Sequence, residues 1–130
     1  MSLLRRVGLE FLKDELAQEL SFGQQKLLEF AAVLMSEPEI VLLDEPAGGV
    51  NPTMIRFIMD LIRDLNEAKG VTFLVVEHNM NVVMSVSDRI TVMHLGAILA
   101  EGTPEEIASN ENVQTAYLGQ LYDVADKVSE

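Results

Sequence analysis

The heptapeptide Ile40-Val41-Leu42-Leu43-Asp44-Glu45-Pro46 decides how this chain is read. Four consecutive aliphatic residues without polar alternation predict a strand covered on both faces, as in a parallel sheet. The strand ends on two adjacent carboxylates. In open α/β sheets the ligand crevice lies at the carboxyl ends of the strands. A carboxylate there holds Mg²⁺, usually through water, while the metal bridges phosphate oxygens; a second one beside it can polarise an attacking water. Taken alone, the run is equally a strand entering an acidic turn.

Downstream, Ile55, Ile58, Met59, Ile62 and Leu65 recur at helical spacing with Arg56, Asp60, Arg63 and Asp64 between them, which predicts a helix over 52–69. Asn51 suits its N-cap, Pro52 its first position and Gly70 its C-cap. A second apolar run follows, Val71-Thr72-Phe73-Leu74-Val75-Val76, and then Glu77 and His78. The economical arrangement is a right-handed βαβ unit of two buried parallel strands. His78 then stands at a strand's carboxyl edge, where an imidazole can contact a phosphoryl oxygen or orient water; a polar loop residue is the alternative. His94 lies inside a later expected strand and is read as an ordinary strand residue.

Upstream, Leu20-Ser21-Phe22-Gly23-Gln24 opens a predicted helix of about 22–35, with Pro38 past its end. Ser21 and Gln24 have the spacing of a capping box. A helix start with a small polar residue and a glycine also presents backbone N–H groups to an anion, with Ser21 as an added donor and Gly23 permitting close approach. Beyond His78 the pattern predicts a short helix over 79–87 and a hairpin of 89–95 and 97–101 around Gly96. A helix follows, opened by Thr103 and Pro104 with Glu105 and Glu106 in its first turn. The stretch after Tyr117 is expected to be a terminal helix or a frayed tail.

The whole chain has 130 residues, 21 acidic and 9 basic, for a net charge of −12, with 48% hydrophobic residues and no cysteine. The hydrophobic content supports one folded domain. The charge argues against a nucleic-acid or anionic-membrane surface. The missing cysteines exclude disulfides, thiolate metal sites and thiol nucleophiles. No apolar run approaches the ~18 residues of a membrane span. Residues 1–16 are amphipathic and charged, unlike a signal peptide. These features suit a soluble cytosolic protein.

In combination and order the motifs resemble the C-terminal half of an ABC-transporter ATPase subunit, over about residues 16–119. LSFGQ is similar to that family's signature motif and IVLLDE to its Walker B motif. Ala47-Gly48-Gly49-Val50-Asn51 falls on the D-loop, and His78 on the switch histidine. The runs AGGVNP, VVEHNM, LGAILAEGTPEEI and AYLG are most similar to ATPases of bacterial branched-chain amino acid importers. Relatives serving urea uptake or lipopolysaccharide export carry similar runs.

The resemblance implies a partial P-loop NTPase fold of class α/β: a mostly parallel sheet with flanking helices, then a C-terminal hairpin and helices. It makes 1–130 a single partial domain, with a signature helix at 20–36, Walker B to switch histidine at 39–78 and a C-terminal region at 79–130. It assigns Asp44 to Mg²⁺, Glu45 to the general base, and His78 to sensing the γ-phosphate of ATP and orienting the attack. Ser21, Phe22, Gly23 and Gln24 would complete the ATP site of a second subunit in a head-to-tail dimer, with Asn51 at the dimer interface. Further partners would be membrane permease subunits, which place the protein at the cytoplasmic face of the membrane. Asn51 replaces the Asp of many relatives, and Ala32 stands where an Arg is frequent.

No G-x-x-x-x-G-K-[ST] occurs in the chain, and the glutamine loop is missing too, so the phosphate-loop half is absent. The expectation is a fragment whose parent hydrolyses ATP and which is itself inactive, with an unpaired strand edge and an exposed apolar face that favour self-association. The competing expectations are an ABC ATPase acting on DNA or ribosomes, disfavoured by the charge, and a naturally short binding or dimerisation module.

Overall fold

A computed structural model describes residues 2–116; the expected terminal helix or tail, and Tyr117 to Gly119 of the AYLG run, lie outside them. The chain divides into two compact units, 1–86 and 87–130.

In the first unit, β1 (Ile40–Asp44) and β2 (Thr72–Val76) pair in parallel, with Ile40 beside Thr72, Leu42 beside Leu74 and Asp44 beside Val76. Between them runs α3 (Pro52–Lys69), bounded as its caps predict. The Asn51 side chain accepts the Met54 N–H at 2.9 Å, and Gly70 takes the left-handed conformation at φ +68° that ends the helix without a Cβ penalty. The helix buries Ile58, Met59, Leu61, Ile62 and Leu65, adding Leu61 to the expected stripe and leaving Ile55 half-buried.

Helix α2 (Phe22–Leu34) carries the expected capping box. It turns Leu27, Phe30, Ala31 and Leu34 into the same core, where the Phe30 ring stacks on Phe73 at 6.3 Å between centroids. The N-terminal stretch joins this core. After α1 (Leu3–Arg6), Val7 and Leu9 are buried among the α2 and α3 side chains. Helix α4 (Met80–Val86) is held at its end by Arg63 Nη2, which donates to the Ser85 carbonyl at 2.7 Å.

Leu65 is only 1% exposed at the centre of this cluster. Leu65→Ala is expected to lower stability by about 2–5 kcal/mol through lost burial and the cavity left behind. A shift of the urea midpoint with an unchanged slope checks this.

One expectation fails in an informative way. The apolar runs predict strands covered on both faces, yet Ile40, Leu42, Leu74 and Val76 are 62%, 70%, 59% and 58% exposed. Strand side chains alternate, and the parallel register puts these four on one face. Val41 is buried, and Leu43 and Phe73 pack on the core, on the other face. The core helices form a single layer, so among the described residues only one face of the sheet is covered. Among the described residues this sheet has two strands, so the outer edge of β2 is unpaired and one apolar face is exposed.

In the second unit β3 (Ile90–His94) and β4 (Ala97–Gly102) form the expected antiparallel hairpin. Its turn uses two residues of positive φ, Leu95 at +49° and Gly96 at +79°, as two-residue hairpins require. His94 is an ordinary strand residue paired with Ala97. Helix α5 (Pro104–Ala108) starts at a second capping box of Thr103 and Glu106. The Glu105 carboxyl is held below its usual range by its own backbone N–H and the Thr103 hydroxyl. Among the described residues of this unit, Ile90, Ile107 and Val113 are the buried hydrophobic side chains. Among the described residues no helix is long and apolar enough to cross a membrane.

Candidate active site

The parallel ladder continues one step past β1. Glu45 N–H donates to the Val76 carbonyl at 2.9 Å, which fixes the residue after Asp44 against the last residue of β2. Glu45 then adopts φ +46°. For a residue with a side chain this left-handed conformation is disfavoured by roughly 1–2 kcal/mol, and such strain concentrates at functional positions. Gly48 N–H closes the turn onto the Glu45 carbonyl at 2.9 Å. The result sets the Glu45 carboxylate at 3.3 Å (Oε1) from His78 Nδ1. The two side chains are 58% and 77% exposed, so their attraction contributes little stability. What matters is placement: a carboxylate and an imidazole converge at adjacent strand ends, on the edge where such sheets hold ligands.

Asp44 ends β1 on the open face, beside Val76 and exposed. Among the described residues no cluster of three or more His, Asp or Glu side chains could cage a metal. The donor set fits Mg²⁺ in one way only, as an ion held by one or two carboxylates and otherwise by waters and phosphate oxygens. Asp44 is the residue that could hold it.

The LSFGQ segment is built as a helix start. Gln24 N–H donates to Ser21 Oγ at 3.4 Å, and Ser21 N–H donates to Gln24 Oε1 at 2.9 Å. Both side chains are therefore engaged in the cap, and the Ser21 hydroxyl proton remains available to donate. Gly23 has a packing reason as well as the expected one, since a Cβ there would meet Met54 Cε at 3.3 Å and Val50 Cγ1 at 4.0 Å. Gly49, at φ +72°, faces the Phe22 ring, which a Cβ would approach to 3.0 Å. Lys26 Nζ lies 5.5 Å from the centre of the same ring.

Two groupings therefore emerge. Glu45 and His78 meet directly, while Phe22 and Gly23 pack on the segment Gly49-Val50 and the start of α3. Asn51, expected at an interface, has its side-chain oxygen accepting the cap bond of α3.

Sequence reasoning assigned Glu77 no role. Its Oε1 accepts the Ala47 N–H at 2.9 Å, and its Oε2 accepts the N–H groups of His78 at 3.1 Å and Asn79 at 3.2 Å. The only sequence signal was a carboxylate between an apolar run and a candidate histidine; its half-burial is a property of the fold.

The βαβ unit thus places an acidic pair at one strand end and a histidine just past the next. A family model described as "AAA domain, putative AbiEii toxin, Type IV TA system" matches residues 3–85, and one described as "Branched-chain amino acid ATP-binding cassette transporter" matches residues 97–122. The first starts well before the 16 expected from the motifs. The chain is 44% identical over 117 residues to the high-affinity branched-chain amino acid transport ATP-binding protein LivG of Salmonella typhimurium, covering 90% of this chain and 46% of that protein. It is 34% identical over 120 residues to the lipopolysaccharide export system ATP-binding protein LptB of Haemophilus influenzae, covering 92% and 49%.

Among solved structures, the ADP conformation of an ATP-binding cassette of an ABC transporter superposes with TM-score 0.80 at 37% identity, covering 90% of this chain and 47% of that one. A dimeric post-hydrolysis cassette bound to ADP and Pi gives TM-score 0.70 at 31% identity, covering 78% and 44%. The match over residues 3–85 places the chain in the family that model describes as an AAA domain; its fold is that of the P-loop ATPase cassettes it superposes on, and it is similar to ATP-binding proteins of branched-chain amino acid transport. It spans about half the length of the curated relatives it matches.

Proposed function

We propose that these residues form the hydrolytic and signature portion of an ATPase that powers import of branched-chain amino acids. The Glu45–His78 contact at 3.3 Å across adjacent strand ends carries the reading. Glu45 would accept a proton from the attacking water, and His78 beside it would orient that water and the terminal phosphate. Asp44 would hold Mg²⁺, whose chemistry when bound is to neutralise charge developing on the phosphate oxygens.

The capped start of α2 would face the nucleotide of a second subunit. There the amides of the first turn and the Ser21 hydroxyl can donate to phosphate. Permease subunits would hold the assembly at the cytoplasmic face of the membrane. The importer reading is supported by the LivG relative and by the match at 97–122. The weaker LptB match favours lipopolysaccharide export as the second reading.

The chain contains no G-x-x-x-x-G-K-[ST] segment, and phosphoryl transfer in this fold needs one to cradle the β- and γ-phosphates. The purified 130-residue chain is therefore expected to show no Mg²⁺-dependent ATP turnover. Joined behind the phosphate-loop half of the Salmonella relative, it is expected to gain turnover. Glu45-dependent hydrolysis by the chain alone, read as phosphate release, would overturn the division of labour.

A further inference from the structure

The loops that carry Glu45 and His78 leave the sheet from neighbouring strands, and besides the Glu45–His78 contact the Glu77 side chain ties one to the backbone of the other. We infer that Glu77 is a positioning residue for the hydrolytic pair. Its carboxylate clamps the Ala47 amide of the loop after β1 to the His78 and Asn79 amides of the loop after β2, and so fixes the His78 ring against Glu45. The inference rests on the reading of Glu45 and His78 as that pair.

The geometry is specific to a carboxylate. Oε1 takes the bond from Ala47 at 2.9 Å, and Oε2 takes two from the other loop, at 3.1 and 3.2 Å. All three partners are backbone donors, so an acceptor-only group with two oxygens fits where an amide does not. Hydrogen bonds to an ionised acceptor are roughly twice as strong as neutral ones. Ala47 lies two residues past Glu45, inside the turn that Gly48 closes onto the Glu45 carbonyl. Holding Ala47 therefore helps hold Glu45 at its unfavourable φ of +46°. On the other side, anchoring the His78 and Asn79 amides fixes the backbone from which the imidazole projects.

Two variants separate this role from simple turn formation. Glu77→Gln keeps the shape but turns one arm into a donor facing an N–H. Glu77→Asp keeps the charge and can still cap Asn79, two residues on, as aspartates do in turns, but is one methylene short of Ala47. In the joined ATPase both are expected to lower kcat about tenfold with KM for ATP within about twofold, the pattern of a group that shapes the transition state without touching substrate. In the 130-residue chain both are expected to speed hydrogen exchange at the Ala47 amide about tenfold.

Unchanged kcat and unchanged Ala47 exchange in the Glu77→Asp variant would reduce Glu77 to a local turn residue and overturn the inference. Lost kcat that follows a lost thermal midpoint, without faster Ala47 exchange, would overturn it too. If Glu45→Gln retains turnover, the functional reading itself has failed. If Glu45→Gln abolishes turnover and both Glu77 variants keep it, only the inference has failed.

Discussion

Glu45→Gln in the joined ATPase is expected to lower turnover by about 100- to 10,000-fold, the range for loss of a general base. The amide preserves side-chain length and branching. The strained turn, held by the Glu45 and Gly48 backbone bonds to Val76 and Glu45, does not involve the carboxylate. The side-chain oxygen can still accept from an imidazole N–H at the position now 3.3 Å from His78 Nδ1. What disappears is the capacity to take a proton from water. ATP affinity is expected to stay within about threefold, because binding and hydrolysis rest on different groups, and a base acts only as the transition state is reached. Fluorescent-nucleotide titration and phosphate release on one preparation separate the two quantities. Turnover within about threefold of the parent would remove Glu45 from the base role and leave the contact with His78 an exposed ion pair, worth at most ~1 kcal/mol.

The parts of this architecture that the sequence announces are those whose cause is local. Asn51, Pro52 and Gly70 bound α3 because a cap, a fixed φ and a left-handed end are properties of single residues. Ser21 with Gln24 and Thr103 with Glu106 mark their helix starts for the same reason. The acidic pair and the histidine were legible because strand ends in a parallel unit are forced to one edge.

What escaped depends on the third dimension. Periodicity says that Leu42 and Leu74 are apolar, not whether anything lies over them. Val7 and Leu9 sit in a charged stretch and enter the core only because α2 and α3 meet there. Leu95 is an unfavourable residue for a turn of positive φ, and the hairpin imposes that conformation on it through the strands on either side. Glu77 acquires its role from an amide 30 positions away, which no motif spacing encodes.

The open face of the sheet is expected to govern the behaviour of the 130-residue chain in solution. Ile40, Leu42, Leu74 and Val76 present contiguous aliphatic surface, each more than half exposed, on two strands whose outer edges are unpaired among the described residues. Monomeric proteins seldom leave such a surface uncovered, and unpaired strands template further pairing. The chain is therefore expected to self-associate, with a mass by light scattering that rises with concentration. Burying one large aliphatic side chain contributes about 1.5–3 kcal/mol. Replacing two, Leu42→Lys with Leu74→Glu, is expected to weaken association by more than about 100-fold, since each 1.4 kcal/mol is a factor of ten.

Leu42 and Leu74 are register partners, so the introduced charges face each other across the strands and favour the existing pairing. The core on the opposite face, from Val41 to Leu65, is untouched, and helix content by circular dichroism should not change. Salt supplies an independent check. At a net charge of −12 two copies repel, so added salt should strengthen association through screening, the opposite of an interface held by ion pairs. A parent chain that stays monomeric at high concentration and high salt would show that the exposed strands do not drive association.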